Sequence, residues 1–270
     1  MTRTLATRLG LCGALTLSLF GCHSSKAPVP PVPTQAQAPA VSHAIELLVA
    51  TRMWNTTEPC GCTSTPLGDV ARIAGLIESA PGRSLLLDAG GLRYEPKALP
   101  ETRQAQARLK ADFIEQTWRD LSALTMIQPE DLRGRQGLAE LGQSRRLVAN
   151  LSGLPSGTTI VKEVRTLHGS TLGFVGLADP DAQWPSGITV SSPATALTEQ
   201  LAALQKEGVL AVVVLTGMPR DKVRRLARKF PDVKLWVAGA DDNVPDGAEL
   251  PEQLDGAILL APGHKGERLY

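Results

Sequence analysis

Residues 55–91, NTTEPCGCTSTPLGDVARIAGLIESAPGRSLLLDAGG, hold a loop, a turn, a helix and a strand in quick succession. Cys60 and Cys62 stand one residue apart, a Pro-Leu-Gly turn follows, and a helix is predicted over 67–79. Val70, Ile73, Ala74 and Ile77 recur there at the spacing of one helical face. Residues 84–88 (SLLLD) form a short apolar run of strand length, broken by Gly90-Gly91. Upstream, 44–51 (AIELLVAT) reads as the first buried strand.

Downstream the same alternation continues. Residues 101–124 carry the longest helical pattern, with Leu109, Phe113, Trp118, Leu121 and Leu124 as its expected core stripe. Met126-Ile127 and 147–151 read as short strands and 137–141 as a short helix. Residues 158–167 and 172–177 flank a turn at His168-Gly169, which is a hairpin pattern. Then come a helix at 193–207, a buried strand at 209–215, a helix at 218–230, and strands at 235–238 and 257–261. Strands separated by helices imply an α/β sheet with helices on both faces. The 218–230 helix bears Arg220, Lys222, Arg224, Arg225, Arg228 and Lys229 opposite Val223, Leu226, Ala227 and Phe230. That pattern predicts an outward-facing solvated basic face, or alternatively contact with anionic lipid head groups.

The 270 residues are 43% hydrophobic and 20% charged, with a net charge of +1, enough for one large domain with a substantial core. So small a charge gives no support to a nucleic-acid partner. Arg3 and Arg8, the apolar run 9–20 and the Leu19-Phe20-Gly21-Cys22 junction resemble a bacterial lipoprotein signal over 1–21, with Cys22 as the lipidated residue. About 12 apolar residues are too few to span a bilayer as a helix. Residues 22–43 are rich in proline and poor in apolar bulk, so they read as an extended tether. His23 after the cysteine favours the outer membrane, with the domain facing the periplasm. The expected partners are therefore the membrane, through Cys22, and an unidentified protein or small molecule.

In order and spacing, residues 44–270 resemble the calcineurin-like metallophosphoesterases, and within them the exported 5′-nucleotidases. The PLGDVAR run at 66–72 is similar to that family's turn into its first helix, and 85–91 to its Gly-Asp strand. Asp131-Leu132 with Gly137-Leu138, Val148-Ala149-Asn150-Leu151, 173–177 and Pro262-Gly263-His264-Lys265-Gly266 continue the likeness. The resemblance implies an α/β fold of layered sheets flanked by helices, over one domain at 44–270. It also implies two metal ions held by Asp, His and Asn ligands. Here the sequence departs from the pattern. Thr51-Arg52-Met53-Trp54 lacks the Asp-x-His motif, Gly90-Gly91 stands at the Gly-Asp position, and Gln128-Pro129-Glu130 lies near the Asn-His position. The late histidines are replaced at Thr216-Gly217-Met218 and Gly239-Ala240-Asp241. The expectation is a degenerate variant with no metal ligands, no cofactor and no catalysis of the family's kind. Asp69, Arg72, Asp88 and Asn150 stay as possible cleft residues, Asp88 with a structural role.

Cys60-Gly61-Cys62 allows three readings: a structural staple, a thiol–disulfide redox pair, or a ligand pair for a metal or beside a haem. Glu58 and Asp69, if close, would raise a thiol pKa and oppose the redox reading. The expected function is binding or scaffolding at the bacterial envelope. Thiol redox chemistry through Cys60 and Cys62 and a residual phosphoesterase activity are the alternatives.

Overall fold

A computed structural model describes residues 45–59, 68–79, 84–133, 141, 145–239 and 251–266, all within one compact unit, Val41–Tyr270. The signal segment, Cys22, the tether, Cys60, Cys62, Pro66, Leu67, Gly137, Leu138, Ala240 and Asp241 lie outside the described residues. In chain order come β1 (Glu46–Ala50), α1 (Val70–Ser79), β2 (Ser84–Asp88), α2 (Glu101–Asp120), β3 (Leu124–Thr125) and a 3-10 turn at Pro129–Leu132. The short strands β4 (Arg146–Leu147), β5 (Leu151–Ser152) and β6 (Thr159–Ile160) follow. The second half holds β7 (Lys162–Leu167), β8 (Ser170–Leu177), β9 (Thr189–Val190), α3 (Pro193–Lys206), β10 (Ala211–Thr216) and α4 (Arg220–Ala227). It closes with β11 (Val233–Ala238), β12 (Glu252–Leu254) and β13 (Ala257–Leu260).

These strands make two main sheets. One is parallel, in the order β1-β2-β3. The other runs β12-β13-β11-β10-β8-β7, with four parallel central strands and an antiparallel strand at each edge. Side chains alternate across each strand, and the alternation assigns every face. Val49, Leu85 and Leu87 meet Phe174, Val213, Leu215 and Val237 between the sheets. Leu48, Ala50 and Leu86 turn the other way, onto Val70 and Ile73 of α1 and Ile114 and Trp118 of α2. Val212, Val214 and Trp236 likewise face Leu197 and Leu204 of α3 and Val223 and Ala227 of α4. The result is four layers, helix–sheet–sheet–helix. A strand buried on both faces reads as a continuous apolar run whether its second face meets a helix or another sheet. The α/β fold of layered sheets flanked by helices that the resemblance implies is therefore present, where strand–helix alternation by itself implied a sheet with helices on both faces.

Other expectations fail for local reasons. On α2, Leu109 is 72% exposed and Phe113 54% exposed. The buried side is instead Ala107, Ala111, Ile114, Glu115 and Trp118, where small alanines let the helix lie close to its neighbours. Basic α4 does not present a uniformly solvated face. Arg220 is buried, Arg224 Nε and Nη2 hold the Glu252 carboxylate at 2.7 and 2.8 Å, and Lys222 Nζ reaches Asp179 and Asp181 at 2.8 and 2.7 Å. The carboxylates come from β12 and from the loop after β8, which no periodicity within α4 could reveal. The third parallel strand is Leu124–Thr125, and 147–151 divides between two small sheets. The hairpin at His168 forms as read, with His168 at φ +47°. Among the described residues, no helix is long and apolar enough to cross a membrane.

Candidate functional site

The segments leaving β1, β2, β3, β10, β11 and β13 converge at the C-terminal ends of the parallel strands, in a strand-end crevice. Gln128, four residues beyond the start of β3, lies between the sheets there and donates from Nε2 to Ala89 O at 2.9 Å. Gly217, after β10, comes so near that a Cβ on it would overlap the Gln128 carboxamide. A Cβ on Gly90, after β2, would stand 2.7 Å from Gln128 Cγ. Gly239, after β11, donates its N–H to Thr216 O at 2.8 Å. Glycine is required at 90 and 217 because the space that a side chain would take is already filled.

The chain leaving β1 forms the rim. Arg52, Trp54 and Asn55 have φ of +49°, +48° and +64°, a conformation that non-glycine residues enter at a cost of order 1–3 kcal/mol each. The surrounding structure holds them. Arg52 N donates to Gly90 O and Trp54 N to Gly91 O, both at 2.8 Å, while Asn55 Nδ2 donates to Arg93 O at 2.8 Å and Ala107 O at 2.7 Å. Lys265 N donates back to Arg52 O at 2.8 Å, and Thr51 Oγ1 donates to the Pro262 and Gly263 carbonyls, each at 3.1 Å. Those bonds bring His264 onto Trp54, with ring centroids 5.0 Å apart and planes 26° apart. The Arg52 guanidinium lies 5.6 Å from the Trp54 ring centroid, and the indole N–H donates to Glu130 Oε1 at 3.4 Å. A cation, a stacked indole–imidazole pair and a carboxylate thus line one half-buried surface.

Buried charge supports this rim. Asp131 Oδ2 accepts from the N–H groups of Gly91 at 3.0 Å and Gln128 at 2.9 Å, and its Oδ1 accepts from Arg93 N at 2.8 Å. Burial, then the neighbouring Glu130 charge, push the Asp131 carboxyl up to about 7. Asp88 is fully buried and accepts from Gly90 N at 2.9 Å; burial pushes it up to about 6, against the opposing pull of that N–H and of Arg146. Arg146 and Arg93 both meet Glu115 in the same interior, and burial lowers Arg146 to about 10.

The sequence matches no protein-family model and no curated protein. Its structure does have neighbours. It matches the 5′-nucleotidase precursor of Thermus thermophilus with a TM-score of 0.68 and 19% identity, over 83% of this chain and 50% of that one. It also matches the calcineurin-like phosphoesterase YfkN of Bacillus subtilis (0.60, 17% identity, 83% of each chain). The sulfate thiohydrolase SoxB of Thermus thermophilus scores 0.66 at 15% identity, over 90% of this chain and 54% of that one. The fold is that of the calcineurin-like phosphoesterases. The chain spans about half the length of the first 5′-nucleotidase and thiohydrolase structures it matches.

Within this phosphoesterase fold, the positions that the resemblance assigned to metal ligands do come together. Thr51–Trp54 abuts Gly90-Gly91, Gln128 abuts Gly217, and Gly217 lies 3.5 Å from where a Cβ of Gly239 would stand. Among the described residues, no three His, Cys, Asp or Glu side chains gather where they could hold a metal ion. The named cleft candidates are dispersed. Asp69, at φ +116°, caps α1 through Arg72 N at 2.6 Å, and its carboxylate lies 3.7 Å from the exposed Arg72 guanidinium. Asp88 is the last residue of β2 and is fully buried. Asn150 is buried elsewhere, exchanging bonds with Ala178 at 3.0 and 2.7 Å and donating to Ser191 O at 3.0 Å. Glu58 pairs with Lys110 at 3.5 Å. Trp54, Glu130 and His264 were not singled out from sequence as site residues. His264 lies in the quoted Pro-Gly-His-Lys-Gly run, but nothing local to it signals a partner more than two hundred residues away.

Proposed function

We propose that this chain is a lipid-anchored protein of the bacterial envelope whose phosphoesterase-like domain binds or scaffolds and does not hydrolyse. The observation that carries this reading is Gln128, seated between Gly90 and Gly217 at the crevice the strand ends share. A glutamine whose carboxamide fills the space at Gly217 and whose Cγ fills that at Gly90 does not fit a two-metal centre, which needs several carboxylate and imidazole donors facing one point. Arg52, Trp54, Glu130 and His264 give the crevice contacts suited to holding a ligand or a partner's side chain. The anchor rests on the signal-like segment ending at Cys22 and the proline-rich tether.

The test is metal analysis of the purified domain together with hydrolysis assays on AMP and bis-p-nitrophenyl phosphate in Mn²⁺. Sub-stoichiometric metal and turnover no greater than that of the Gln128→Ala variant are expected. Stoichiometric metal with turnover would overturn the reading. A second reading, thiol redox exchange, rests on Cys60 and Cys62 being the only cysteines beyond Cys22 and standing one residue apart. Mass spectrometry after alkylation, with and without reductant, tests it. A pair that never changes oxidation state across redox buffers would remove it.

A further inference from the structure

A cavity of about 450 Å³ opens beside the N-terminal half of α2. Its lining includes none of Arg52, Gln128, Glu130, Gly217 and His264, so it is separate from the strand-end crevice. Tyr94 and Ala107 are buried and pack with Leu99, and these three make an apolar floor. The polar rim holds Lys97, Arg108 and Arg133 against Glu95 and Glu101. Gln104, also at the rim, is steadied by its Nε2 donating to Leu99 O at 3.4 Å. Among the described residues, Lys97, Arg108 and Arg133 form no ion pair, whereas nearby Lys110 is matched with Glu58. On α4, Lys222 and Arg224 are likewise matched with carboxylates.

We infer that this cavity is a binding site for a small organic anion with an apolar, ring-sized body. The volume lies within the range of small-molecule pockets, and an apolar floor with a few polar groups at the mouth is their usual construction. Burying the ligand's body on Tyr94, Leu99 and Ala107 supplies the hydrophobic part of the affinity. The excess of cations at the mouth selects a carboxylate, sulfonate or phosphate on the ligand and disfavours a cationic one.

The experiment titrates the full chain with 8-anilinonaphthalene-1-sulfonate, reading fluorescence, and with its uncharged relative N-phenyl-1-naphthylamine. Saturable binding at one site per chain is expected for the sulfonate, and binding about tenfold weaker for the neutral dye. Ala107→Trp, which fills the floor, is expected to weaken the sulfonate about tenfold. Arg108→Glu, a change at the mouth that leaves the core alone, should weaken it severalfold and flatten its salt dependence. Lys229→Glu, the same charge change on the exposed turn after α4, should leave it unaltered. Should Ala107→Trp not fold, Arg108→Glu still decides. Sulfonate binding unchanged in Arg108→Glu, equal binding of the neutral dye, or no saturable site in the wild type would each overturn the inference.

Discussion

At the residue scale, two features turn on single side chains in the interior. Asp88 titrates near 6 in the fold, against 3.8 for an unperturbed carboxyl. Between those values the native state keeps a proton that the unfolded chain has released. The Asp88 contribution to stability therefore falls as pH rises through that window and is level on either side. An Asp88→Asn variant carries no such proton. Its unfolding free energy relative to wild type should rise across the window by on the order of 3 kcal/mol, measured by urea denaturation at stepped pH. Gly217 makes the second case. Gly217→Ala should cost about 1–3 kcal/mol by overpacking against the Gln128 carboxamide. In a Gln128→Ala background that cost should largely vanish, so a double-mutant cycle should show coupling of about 1 kcal/mol or more. Additive effects would mean that the two residues do not share the space. Neither result could be foreseen from the sequence, since Gln128 and Gly217 are 89 positions apart.

At the element scale, the helices show where periodicity informs and where it misleads. The spacing in α1 found its buried residues Val70 and Ile73, because a strongly apolar stripe leaves only one face to bury. In α2 a second stripe, through Ala107, Ala111, Ile114 and Trp118, competes with the bulkier one through Leu109 and Phe113, and close packing selects the former. Phe113→Ser should therefore change stability by no more than about 0.5 kcal/mol. Ile114→Ala should cost about 2–5 kcal/mol, with both read by chemical denaturation. On α4, Glu252→Gln removes the carboxylate that holds Arg224 and lies 3.8 Å from buried Arg220. A loss of about 1–2 kcal/mol is expected, less than for a fully buried pair because Arg224 and Glu252 both reach solvent.

At the scale of the whole molecule, the core clusters of the described residues include Ile45 and Leu47 at the start of the domain, and residues 22–43 have the proline-rich, bulk-poor composition of a tether. A chain lacking residues 1–43 should melt within about 2 °C of the full-length protein by calorimetry. Under the proposed lipid anchor, Cys22→Ser should move the full-length protein from the membrane fraction to the soluble one, and an unchanged distribution would remove that proposal. The alternation of strands and helices and the hairpin at His168 were legible in the sequence. Hydrophobic period, chain length between breaks and turn chemistry are local quantities, and they suffice for local structure. Local patterns could not tell one sheet from two, because a strand covered by a helix and one covered by another sheet are equally apolar. Nor could they show that His264 stacks on Trp54, that Glu252 neutralises α4, or that Gln128 lies between two glycines. Those contacts join residues from 28 to 210 positions apart. Only the closing of both sheets onto one crevice, driven by burial of the faces between them, decided which side chains would meet there.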